Sequence, residues 1–125
     1  MAEVIAGLLA AAVSLGLNNL IVRIRPETAV TYVAPLIEEI TKTFGGYCLG
    51  GSIFFVHVVF GIIEAFYDYA KSRKIIGLTA AMFSIISHSI FGYITVVISK
   101  IFDSLFLGVL AAFLAHSIWN WIAAR

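Results

Sequence analysis

Glu38-Glu39-Ile40-Thr41-Lys42, followed by Gly45-Gly46-Tyr47-Cys48-Leu49-Gly50-Gly51, is the stretch on which the number of membrane crossings turns. Hydropathy alone passes over its charged half and counts four helices. Four glycines within seven residues are poor helix interior and good turn material, so 45–51 reads as a loop. A short helix at about 28–44 then precedes it, and a full one at about 52–71 follows.

Outside that stretch the chain is strongly apolar. Its 125 residues are 62% hydrophobic and 12% charged, against about 45–50% and about 25% in soluble domains. A soluble fold of this length leaves too much surface exposed to hide such an excess. A formal charge of +1 excludes a nucleic-acid binder built on a basic patch. The lone Cys48 excludes a disulfide framework and a cysteine-rich metal site. The composition therefore predicts an all-α integral membrane bundle forming a single domain over 1–125.

Residues 4–22 carry Glu3 before them and no Lys or Arg, which argues for a first transmembrane helix rather than a secretory signal. Residues 75–99 and 104–124, separated by Lys100 and Asp103, match the roughly 20 residues a bilayer crossing needs. Charge asymmetry then separates four crossings from five. With four, the basic residues divide evenly. With five, Arg23, Arg25, Lys71, Arg73, Lys74 and Arg125 share one side, leaving only Lys42 and Lys100 for the other. That is the positive-inside pattern. It predicts a bundle of about five transmembrane helices in the cell membrane, with the N-terminus outside and the C-terminus cytoplasmic.

Ionisable groups inside membrane segments are costly and mark function. Glu38, Glu39, Lys42, His57, Glu64, His88 and His116 all fall inside predicted helices, with Asn120 close by. At about 1.5 Å per residue from the cytoplasmic ends, Glu38 and Glu39 lie roughly 15–17 Å in and Glu64 roughly 10 Å. His88 lies roughly 20 Å in and His116 roughly 13 Å. Four helices thus bring polar groups to a similar depth. His57 stands at i−7 from Glu64, nearer the outer side, and reads as a packing or pore-lining residue; Asp68 reads as a solvated helix end. Glu38 and Lys42 at i,i+4 predict an ion pair, with Glu39 turned about 100° away. His116 and Asn120, also i,i+4, project together as hydrogen-bond donors, and Phe60 sets a ring beside Glu64. A carboxylate base, a second carboxylate and paired donors are what water-driven amide hydrolysis requires.

These motifs, Glu38-Glu39-Ile-Thr-Lys42, Phe60-Gly-Ile-Ile-Glu64 and His116-Ser-Ile-Trp-Asn120, in that order on separate helices, resemble the PrsW family of intramembrane proteases. That family is related to the CAAX-processing and bacteriocin-processing (CPBP) membrane proteases. The resemblance covers roughly residues 35–121 and implies glutamate-dependent cleavage of peptide bonds in or beside the bilayer, without a cofactor or a required metal. By motif, Glu38 or Glu39 would activate the water and Lys42 would organise that pair. Glu64 would be a partner base, and His116 with Asn120 the oxyanion donors. His88-Ser-Ile-Phe-Gly92 would supply the remaining histidine, with Gly92 where an acid or amide would stand.

The implied partner is a membrane-embedded or membrane-anchored protein substrate within the lipid bilayer, and a homo-oligomer is compatible with so small a bundle. Two other functions fit the same residues: a non-catalytic membrane scaffold of that superfamily, and a small proton- or cation-coupled transporter. No inverted repeat supports the transporter. A metal site lacks an HExxH motif and would have to use the widely spaced His57, His88 and His116.

Overall fold

The computed structural model describes residues 1–21, 28–72 and 74–123. Five helices make it up: α1 (Ala2–Ile21), α2 (Ala34–Cys48), α3 (Ile53–Lys71), α4 (Lys74–Phe102) and α5 (Leu105–Ala123). A π-helical turn, Ala29–Val33, runs into α2, whose second residue, Pro35, suits a helix start because its missing N–H is not needed there. There is no strand among the described residues.

Four of the helices, all but α2, are long and apolar enough to cross a membrane. The direction of α2 follows from its contacts at both ends. The Ser52 amide, just after α2, donates to Glu3 at the start of α1 (3.3 Å). Asn18, near the end of α1, donates to Glu38 in the first half of α2 (3.3 Å). α2 therefore runs back along α1, and short turns reverse the chain again before α3, α4 and α5. α2 is thus antiparallel to α1, but at 15 residues it is not among the helices long and apolar enough to cross a membrane.

The glycine run is shorter as a turn than its composition suggests. Gly45 and Gly46 are helical, α2 continues to Cys48, and only residues 49–52 leave the helix. Backbone bonds from the Gly50 and Gly51 amides to Tyr47 and Gly46 close the α2 end, and Gly50 alone takes a positive φ, +66°. A Cβ on Gly45 would meet nothing closer than 3.8 Å, whereas one on Gly50 would sit in the left-handed region. Gly45→Ala should thus raise stability by about 0.5–1 kcal/mol and Gly50→Ala lower it by about 1–2 kcal/mol, read from thermal unfolding in detergent. At the α4–α5 turn, Asp103 takes φ +48°, which Asp tolerates, and the Ser104 hydroxyl accepts from the Leu107 amide (3.4 Å) as an N-cap.

The distribution of polarity is inverted relative to a soluble protein. The largest fully buried side chains include Lys42, His57, His88 and Glu39, while Ile75, Phe66 and Phe106 are 83%, 72% and 69% exposed. In water this would be untenable; in a bilayer it is the expected order, with lipid around an apolar shell and ionisable groups inside. The chain is a membrane protein. Lys42, counted above with the outer-side charges, is 0% exposed and faces the bundle interior. Arg23, Arg25, Arg73 and Arg125 lie outside the described residues, as does the side chain of Lys74.

Candidate functional site

Glu39 is the hub of the buried cluster. Its Oε1 accepts from the Lys42 ammonium at 2.6 Å and from His116 Nδ1 at 2.9 Å, and its Oε2 accepts from His57 Nε2 at 3.0 Å. His57 also donates from Nδ1 to the Ile53 carbonyl, at 2.9 Å. Lys42 donates a second bond to His88 Nδ1 (3.0 Å) and lies 4.5 Å over the Phe60 ring, a favourable seat for a cation. His88 in turn donates from Nε2 to Glu64 Oε2 (2.5 Å), which also accepts from Ser84 (2.9 Å). One network therefore joins α2, α3, α4 and α5.

Lys42 pairs closely with Glu39, at i,i+3, while Glu38 Oε2 stays 3.9 Å away. The predicted Glu38–Lys42 pair is thus secondary, because both spacings put side chains within reach on a helix and His57 and His116 draw Glu39 inward. The Phe60 ring serves Lys42 and the edge of His88 (centroids 5.0 Å apart). Gly92 has its own explanation: a Cβ there would come within 2.6 Å of His57 Cβ. α4 passes too close to α3 for any side chain.

Glu38 has a different environment. Oε1 accepts from Asn18 (3.3 Å), but Oε2 is buried without a hydrogen-bond partner, 3.8 Å from His116 Nε2. Because His116 Nδ1 donates to Glu39, its Nε2 is an acceptor in the neutral ring. The two atoms face each other as acceptors, and the carboxylate oxygen is buried. Two clefts, each of about 430 Å³, share Glu38, Glu64 and Asp68 as lining residues. Both extend as far as Asp68, one turn before the end of α3. The first continues past His88, His116 and Asn120; the second runs along Asn18 and Tyr67.

Of the residues singled out in sequence, Glu38, Glu39, Lys42, Glu64, His88 and His116 come together. Asn120 lines the first cleft, but its amide donates to the Val30 carbonyl of the π-helical turn (3.0 Å) rather than standing beside His116 as a matched donor. Sequence reasoning passed over four contributors. His57 was signalled by its i−7 relation to Glu64, and Asp68 by its i+4 relation. Asn18 and Ser84 carried no signal, since single polar residues in apolar helices are common. Glu38, His88 and His116 each offer a ligand atom, all within 4.8 Å of one another, so these three are the residues that could hold a metal ion. The Lys42 ammonium, 3.0 Å from His88 and 3.9 Å from Glu38, already supplies positive charge there. No family model, curated protein or solved structure matches the chain.

Proposed function

We propose that this protein is a glutamate-dependent intramembrane endopeptidase of the PrsW/CPBP kind, acting on membrane-embedded or membrane-anchored proteins. The observation that carries the reading is the bare Glu38 Oε2, buried on a residue that lines both clefts and opposite an acceptor nitrogen of His116. A water donating to both has its oxygen lone pairs directed into the cleft. Glu38 takes one of its protons as the oxygen attacks the scissile carbonyl, and His116 receives the other hydrogen bond. Glu39, 0% exposed and bonded on both oxygens, positions Lys42 and His116 rather than meeting substrate. The second Asn120 amide hydrogen, not used by Val30, serves the developing oxyanion. Glu64 holds His88 and borders both clefts.

A second reading has one observation in its favour: the Glu38, His88 and His116 ligand atoms would also suit metal-assisted hydrolysis. Chelator treatment separates the two, since only the metal reading loses activity to it. A scaffold is favoured by the dry, fully bonded half around Glu39, and it would show no cleavage at all.

We also propose an orientation, in which the end of the bundle that holds Lys71 faces the cytoplasm and Met1 faces outward. With the exposed Cys48 first replaced by Ser, Ser72→Cys should label only after the membrane is permeabilised and Ala2→Cys in intact cells. Equal labelling of both would overturn the orientation.

A further inference from the structure

Three carboxylates, Glu38, Glu64 and Asp68, line both clefts, and no Lys or Arg is among the described residues lining either. Lys42, the neighbouring ammonium, is sealed away at 0% exposure. Asp68 is half-buried, one turn beyond Glu64 on the same face of α3, and no described residue bonds its carboxylate. Glu64 is 37% exposed and uses Oε2 for both His88 and Ser84, leaving Oε1 toward the cleft. Lys71, the nearest described cation on α3, is held on the Tyr67 hydroxyl and ring. Across the first cleft Phe83 and Trp119 pair with ring centroids 5.7 Å apart, offering aromatic faces of the kind that attract cations. Glu38, which lines the same two clefts, has a side chain only 6% exposed and one oxygen without a partner, so this part of the bundle holds unmet hydrogen-bonding capacity.

We infer that the seat formed by Glu64, Asp68 and the Phe83–Trp119 pair binds a cationic side chain of the substrate, the lysine or arginine that flanks its membrane segment on the cytoplasmic side. Such residues are what single-pass proteins carry at that boundary, and both clefts extend as far as Asp68, near the end of α3 that the proposed orientation turns to the cytoplasm. The inference rests on the peptidase reading for its substrate.

The test measures binding apart from cleavage. Glu38→Gln protein in nanodiscs is titrated with fluorescent transmembrane peptides that differ only in the first cytoplasmic-flank residue: Lys, Arg, Gln or Glu. The Lys and Arg peptides should bind about tenfold tighter than the Gln peptide. Asp68→Asn should shrink that ratio to within about twofold, and Asp68→Lys should turn the preference toward the Glu peptide. Equal affinities for Lys and Gln peptides, or a preference untouched at Asp68, overturns the seat. The wild-type protein is then given the same peptides. Cleavage of Lys and Gln peptides at equal rates leaves the peptidase standing and removes the seat. Asp68-dependent selection without any cleavage does the reverse.

Discussion

Glu38→Gln should lower cleavage of a transmembrane peptide by about a hundred- to ten-thousandfold while leaving the folded bundle in place. A positioned general base contributes about 10²–10⁴ in rate, and Gln keeps the shape of Glu without accepting a proton. The fold survives because Glu38 carries little of the network: one bond from Asn18 at 3.3 Å, a distant Lys42 at 3.9 Å and an oxygen with no partner. Replacing a buried, poorly bonded carboxylate by an amide removes a desolvation cost rather than adding one. His116→Ala should also depress the rate, since it removes the second anchor of the water. Activity of the wild-type protein should be unaffected by chelator. Cleavage that persists in Glu38→Gln, or that dies with chelator and returns with zinc, sinks the glutamate mechanism.

Much of this arrangement was legible in the chain, for a physical reason. In a membrane segment a charge is too costly to be incidental, so Glu38, Glu39, Lys42, Glu64, His88 and His116 announced themselves, and equal depth along separate helices brought them together. Helix periodicity could not say which of the two adjacent glutamates faces the clefts. Glu38 and Glu39 are separated by about 100° around α2, and the rotation of α2 is set by partners it meets only after folding, His57 on α3 and His116 on α5. Nor could composition place the end of α2. Gly45 and Gly46 remain helical because α2 packs onto α3 there, where a Cβ on Gly46 would sit 3.1 Å from Val56. Asp68 looked like a solvated helix end because its depth is shallow; only the clefts beside α3 show that the shallow end borders the site.

Lys42→Met, in contrast to Glu38→Gln, unfolds the protein far more readily than it alters any surface property. The ammonium and the Glu39 carboxylate are both 0% exposed and 2.6 Å apart. Removing one member of a buried pair leaves the other uncompensated, at about 3–5 kcal/mol, and Met also cannot donate to His88. Glu39→Gln carries a similar loss, because a neutral amide faces three donors that were oriented on a carboxylate. The double variant, Glu39→Gln with Lys42→Met, recovers part of the deficit, since Lys42 and Glu39 no longer leave each other unpaired, while His57, which donates from both ring nitrogens, still loses its carboxylate. Thermal unfolding of the four proteins in one detergent measures this cycle. Additive losses in the double variant would mean that the two groups act on separate neighbours. The reading of Glu39 as the residue that positions Lys42, with Glu38 left to the water, would then fail.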